Sequence, residues 1–99
     1  MKSIDIPGEI MVSLLLDSRL CVKTPFRVKL EQENNQIIAE AVEFNEFGFG
    51  STVTEAITDL QHAISELYFS LAKEQDRLGP DLQNLRVMLQ QNIITVHDN

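Results

Sequence analysis

Between Val53 and Leu71, apolar residues recur at three- and four-residue spacing: Val53, Ala56, Ile57, Leu60, Ala63, Ile64, Leu67, Tyr68 and Leu71. A stripe this regular, sustained over several turns, is one face of a long amphipathic helix, and that face has to be buried against another layer. Its beginning is also marked. Thr52 and Glu55 read as a capping box, in which the threonine hydroxyl accepts from the backbone N–H three residues on and Glu55 reaches back to the N–H of Thr52. The helix therefore starts at Val53.

The layer that covers it is expected from the residues just before. Phe26, Val28 and Leu30 alternate with Arg27, Lys29 and Glu31, the pattern of a strand with one buried and one wet face. Glu33, Asn34 and Asn35 form a polar turn, with asparagine suited to the left-handed conformation that a tight hairpin requires. Gln36 to Phe44 then returns as a second strand, with Ala39 and Ala41 on the same face as Ile37, small enough to let a helix come close. Phe47 to Gly50 is a short third strand. Its glycines leave room for close backbone approach or a bulge, and Phe47 and Phe49 share a face that needs cover.

Beyond the long helix, Gly79 is suited to end it in a left-handed conformation. Pro80 and Asp81 suit the first turn of a second helix carrying Leu82, Leu85, Met88, Leu89 and Ile93. At the other end, Ser3 to Ile6 alternates like a short strand, and Pro7 precedes Ile10, Met11, Leu14 and Leu15 at helical spacing. A helix is expected there, although the run Glu9 to Leu16 is continuous enough to pass as a strand and periodicity alone does not separate the two. Asp17 to Pro25 reads as a linker. The expected class is α+β: a three-stranded antiparallel sheet packed by one long helix, with a C-terminal helix. Residues 1–25 would be an arm and linker, 26–94 the domain proper and 95–99 a tail.

A chain of 99 residues, 43% of them hydrophobic, supports one compact domain. No apolar run approaches the roughly 18 to 20 residues of a membrane span, and no basic leader with a cleavage site opens the sequence. A single cysteine, Cys21, has no partner for an internal disulfide, and no Cys/His spacing suits zinc. A cytoplasmic location is expected. The net charge of −7 repels a phosphate backbone and attracts a basic protein surface, unless the acidity serves only solubility.

The residues offer little catalytic chemistry. His62, flanked on its helix by Thr58, Asp59, Ser65 and Glu66, reads as a solvated histidine rather than a general base, and His97 lies in a polar tail. Gly48-Phe49-Gly50 lacks the third glycine of a dinucleotide loop. Glu31/Glu33, Glu40 and Glu43/Glu46 match no metal-binding loop, and Cys21 has only Lys23 beside it and reads as inert. No catalytic residue, cofactor or metal is therefore expected. Tyr68 reads as core rather than as a subunit contact.

The cluster that stands out is Phe44, Phe47 and Phe49 with Glu43 and Glu46. Either the aromatics are core beneath the long helix, or some form an exposed apolar patch with an acidic rim that binds another protein. Alternation places Phe44 on the opposite face from Phe47 and Phe49 if the strand is unbroken, so one set is left for a partner or a second subunit.

Ile38-Ala39-Glu40-Ala41, Phe47-Gly48-Phe49-Gly50-Ser51-Thr52, Glu55-Ala56-Ile57, Leu60 and Ile64, with Leu67-Tyr68 further along, together form a pattern. The stretch from Phe26 to Leu71 resembles the HicB-like antitoxin family. Members present a hairpin, a short strand, a Gly-Asp-Thr type turn and a Glu-Glu-Ala motif opening the helix. Here the turn reads Gly50-Ser51-Thr52 and the opening Thr54-Glu55-Ala56. The resemblance implies a partial RNase H-like fold without catalytic residues that neutralises a small basic mRNA-cleaving toxin by covering its surface, commonly as a homodimer or larger homo-oligomer. Two departures limit the transfer. The Leu-Pro-Gly that often precedes the third strand is absent, with Asn45-Glu46 in that region. Autorepressing members carry a separate C-terminal DNA-binding domain, whereas 28 residues follow Leu71 here. The arm from Ser3 to Leu16, with Asp5 and Glu9, makes a poor groove reader, so DNA binding is not expected. The expectation is an antitoxin-like protein-binding domain using Glu43, Phe44, Glu46, Phe47 and Phe49. The alternative is a stand-alone homo-oligomeric regulatory or scaffold module without a toxin.

Overall fold

The structure, a computed structural model, describes residues 8–96. In chain order the elements are β1 (Glu9–Val12), β2 (Leu20–Val22), β3 (Phe26–Glu33), β4 (Gln36–Ala41), β5 (Glu46–Gly50), α1 (Val53–Lys73), a 3-10 turn (Gln75–Arg77), α2 (Pro80–Asn92) and β6 (Ile93–Thr95). The class is α+β. The main sheet has four strands rather than the expected three, in the order β1-β3-β4-β5, and every neighbouring pair is antiparallel. The expected hairpin is present: β3 pairs with β4 from Val28↔Ala41 to Glu33↔Gln36, and Asn34 supplies the left-handed residue of the turn at φ 58.

The fourth strand replaces the helix expected after Pro7. Glu9–Val12 pairs along β3 with Ile10 opposite Val28 and Val12 opposite Phe26, and the Leu30 N–H donates to the Gly8 carbonyl at 3.0 Å. Without it, the outer edge of β3 would carry a row of unpaired backbone groups. Ile10 and Val12 are β-branched and fall on the face that Phe26, Val28 and Leu30 already bury, so the strand gains both ladder bonds and core contact. Leu15 is buried just beyond, and the buried Gln61 of α1 donates from Nε2 to the Leu14 carbonyl at 3.0 Å, tying this segment to the helix. Ser3 to Ile6 lies outside the described residues.

One face of the sheet is covered by α1. Phe26, Val28, Leu30, Ile37, Ala39 and Ala41 point inward, and Ala56, Leu60, Ile64 and Leu71 of the helix meet that layer. The apolar stripe is thus on the buried side, with Val53, Ile57, Leu67 and Tyr68 at its margins. The helix lies closest over β5. A Cβ at Gly48 would overlap the Ala56 carbonyl oxygen and the Leu60 nitrogen, and one at Gly50 would fall 2.6 Å from the Ala56 nitrogen. Both obstacles are backbone, which cannot rotate aside. Backbone lies on backbone there, so only glycine fits. The helix opens as expected at Thr52, whose hydroxyl accepts from the Glu55 N–H at 3.1 Å. The return bond is shifted by one residue: Glu55 accepts from the N–H of Ser51 at 2.8 Å rather than from Thr52.

The C-terminal end differs more from expectation. α1 stops at Lys73, where its apolar stripe runs out, and a 3-10 turn carries the chain through polar residues. Gly79 does not end it in a left-handed conformation; at φ −72 it is the N-cap of α2, with Pro80 in the first turn. α2 ends at Asn92, and Ile93, expected to continue it, instead opens β6. This strand pairs antiparallel with β2, from Leu20↔Thr95 to Val22↔Ile93, so the supposed linker Asp17 to Pro25 carries a strand of a second, two-stranded sheet. Asn92 clamps the junction: its carbonyl accepts from the N–H groups of Lys23 and Thr24 at 2.7 and 3.1 Å, and its side-chain amide donates to the Thr24 carbonyl at 2.9 Å. β-Branched Val22 and Ile93 make this register usable, and burial of Leu20 and Ile93 anchors it.

Gly48→Ala should cost about 3 kcal/mol of folding stability by overpacking, read from urea unfolding by circular dichroism. Gly79→Ala, where an added Cβ meets nothing within 4 Å and only the N-cap preference for glycine is lost, should cost no more than about 1 kcal/mol.

Candidate functional site

Because α1 occupies one face of the sheet, the other face is defined by what alternation sends to it. The register aligns Glu9, Lys29, Glu40 and Phe47 in one row across all four strands, and Glu31, Ile38 and Phe49 in the next. Met11 lies beside Arg27 in a third. Phe47 is 39% exposed and Phe49 47%, although both belong to a strand whose intervening glycine is buried. Lys29, Glu31, Ile38, Glu40 and Phe47 frame a shallow hollow of about 120 Å³ on this face. An aromatic pair on a flat surface, surrounded by charges of both signs, has the make-up of a protein contact rather than of a pocket for a small molecule.

The edge next to this patch is less available than the face. β5 is a terminal strand of the sheet, but the Phe49 N–H, which points away from β4, donates to Asp59 Oδ2 of α1 at 2.9 Å. The Phe47 N–H is met by Glu46 Oε1 at 3.4 Å. A carboxylate from the helix thus occupies a donor that an added strand would need.

The expected partner-binding residues do not form one patch. Phe44 is buried, with its ring centroid 5.2 Å from that of Phe26 and the planes tilted by 58°. It is a core residue, though not by alternation: the second strand ends at Ala41 rather than running to Phe44, so Phe44 sits on the connection that follows and has no part in the outer face. Four residues, Val42 to Asn45, connect β4 to β5; Asn45 takes φ 51, and the Phe44 N–H donates to the Ala41 carbonyl at 3.1 Å. Glu43, on this connection, accepts from the Arg27 N–H at 3.3 Å and lies 3.5 Å from its Nε. Glu43 and Glu46 also border a groove of about 360 Å³ between the β4–β5 connection and α2. Leu67, Leu82, Leu85 and Met88 line it as well. Sequence reasoning assigned the leucines and Met88 to a helix without placing them against the acidic turn, since nothing local in the chain encodes where α2 comes to rest.

A second, more polar cleft of about 650 Å³ lies between the segment from Leu16 to Arg19 and the side of α1 that carries His62, Glu66 and Phe69. Arg19 stacks over the Phe69 ring at 4.2 Å from its centroid and donates to both oxygens of Asp17, at 2.9 and 2.7 Å. The Arg19 side-chain hydrogen bonds, joined by its backbone N–H, hold the Asp17 carboxyl at about 2 against an ordinary 3.8, and Asp17 in turn raises the guanidinium. His62 is exposed, as is Cys21, and Tyr68 is half-buried with an edge-on contact to Phe69. Among the described residues, no group of three or more His, Cys, Asp or Glu could hold a metal ion. None of the described helices is long and apolar enough to cross a membrane. His97 lies outside the described residues. In comparisons with known proteins, no family model, curated protein or solved structure matches the chain.

Because the folded-state value of Asp17 is lowered, any stabilisation from its pairing is complete above the ordinary carboxylate value and is lost as pH falls from 3.8 through about 2. Carboxyl NMR titration should give an Asp17 midpoint of about 2. In Arg19→Gln the midpoint should rise toward 3.8 yet stay below it, because the backbone N–H of residue 19 still donates.

Proposed function

We propose that the chain is a non-catalytic protein-binding domain of antitoxin type, which neutralises a small basic RNase by covering its surface. The observation that carries this reading is the sheet face left open by a one-sided α+β sandwich, on which Phe47 and Phe49 stand exposed beside Ile38. Large aromatics on a flat face, with charged residues around them, are what interface centres use. The net charge of −7 supplies long-range attraction for a basic partner. The order hairpin, short glycine-bearing strand, Thr52 cap and long helix agrees with the HicB-like pattern and its partial RNase H-like fold, with β1 as an additional edge strand. Such a domain acts in the cytoplasm, where its RNase target works, and needs no cofactor.

The exposed Phe47 and Phe49 would equally be covered if this face met that of a second copy across a two-fold axis. This favours a homo-oligomeric regulatory or scaffold module as the second reading, with the sheet faces of two copies in contact.

Co-expression with the product of an adjacent open reading frame separates the readings. Toxicity relieved by the chain, together with a stable complex in size-exclusion chromatography with light scattering, is the expected outcome. A non-toxic neighbour and no complex would reject the antitoxin assignment. The double variant Phe47→Ser/Phe49→Ser should weaken the complex by at least about 2 kcal/mol, the scale of an interface hot spot, while the circular dichroism spectrum of the free variant stays that of the folded domain. An unchanged affinity would remove the sheet face as the contact.

A further inference from the structure

The groove between α2 and the β4–β5 connection is distinct from the sheet face, and its chemistry is more selective. Its wall along α2 is built by Leu82, Leu85 and Met88, one face of the helix, and Leu67 of α1 and Phe44 lie opposite. Leu82 is 46% exposed and Met88 37%. Of the thirteen residues of α2, only Leu89 is buried. The apolar face of this helix is therefore left half covered by its own chain.

Charge decides what could complete that cover. Glu43, Glu46 and Asp81 border the groove, and no lysine or arginine lines it. Arg27 is on the sheet side and is already shared between Glu43 and Glu9, and Arg86 of α2 donates to the Gln75 side chain. A nucleic acid or an anionic lipid surface would be repelled at this rim, and a second copy of the chain would bring a further −7. The matching occupant has apolar side chains for the groove and cations on either side.

We infer that this groove is a docking site for a short amphipathic helical segment of another protein, in which leucine-like side chains spaced three or four apart enter between α2 and the β4–β5 connection and flanking lysines or arginines meet Glu43, Glu46 and Asp81. This is the helix-in-groove mode of recognition, with methionine and leucine forming an adaptable floor and carboxylates setting orientation. At about 360 Å³ the groove is near the lower limit of small-molecule clefts, so it takes a few anchoring side chains while the rest of the segment rides on the surface. The site does not depend on the antitoxin reading: a toxin could occupy the sheet face, the groove or both.

The test uses the full chain and a synthetic helical peptide of leucine and lysine, with the same peptide carrying glutamate in place of lysine as comparison. Isothermal titration calorimetry should show the lysine peptide binding at least about tenfold more tightly, a difference of about 1.4 kcal/mol. Methyl NMR should place the largest shifts on Leu82, Leu85 and Met88. Met88→Lys and Glu46→Lys, both at solvent-accessible positions, should each weaken the lysine peptide about tenfold. The Phe47→Ser/Phe49→Ser variant should bind it unchanged, which separates this site from the sheet face. Absent binding, equal binding of the two peptides, shifts confined to the outer sheet face, or full affinity in both groove variants would overturn the inference.

Discussion

The aromatic face of this domain follows from the contact of α1 with β5 at Gly48 and Gly50. A helix normally stands off a sheet by the thickness of interleaved side chains. Here the last strand has none at Gly48 and Gly50, and the Ala56–Leu60 turn rests directly on its backbone. β5 is paired without a bulge, so placing Gly48 and Gly50 inward places Phe47 and Phe49 outward. The aromatic patch is the other half of a packing solution, not an independent decoration. Ala39 and Ala41 on β4, both fully buried, extend the same close approach inward from the edge.

The face and the edge of the sheet are treated differently. Asp59 fills the hydrogen-bonding position of the Phe49 N–H from the helix side, and Gly8 and β1 occupy the opposite edge of β3. The first denies a foreign strand part of its ladder at β5, and the second moves the open edge from β3 to β1, the other terminal strand. The broad face, by contrast, keeps its aromatics in solvent. On the proposed reading, such a face selects partners by shape and side-chain chemistry.

Much of the interior was legible in the residues, because the decisive signals are local. Phe26, Val28 and Leu30 alternate strictly, Asn34 marks the turn, Thr52 and Glu55 mark the helix start, and the stripe to Leu71 gives the buried side. Phe47 and Phe49 share a face as their spacing requires, whereas Phe44 is set apart by the turn from Val42 to Asn45, which strand parity does not foresee. What stayed hidden was non-local. Ile10, Met11, Leu14 and Leu15 fit helical spacing as well as a strand, and only the unpaired edge of β3 decides between them. β2 and β6 have three residues each, too few to carry a period, and each is a strand only because the other is there. The acidic groove has the same origin: Glu43 and Glu46 meet Leu82 and Met88 through the docking of α2, which no short window of sequence contains.

The pairing of Leu20–Val22 with Ile93–Thr95 sets an order in time as well as in space. On the ribosome, β3, β4, β5 and α1 emerge as one continuous run of near neighbours and can condense as they appear, since their contacts span short loops. β2 leaves the exit earlier than all of them yet has to wait, its backbone groups solvated, until the strand that satisfies them has been synthesised. Closing the small sheet has to await synthesis of the last strand, and the Asn92 clamp can form only then.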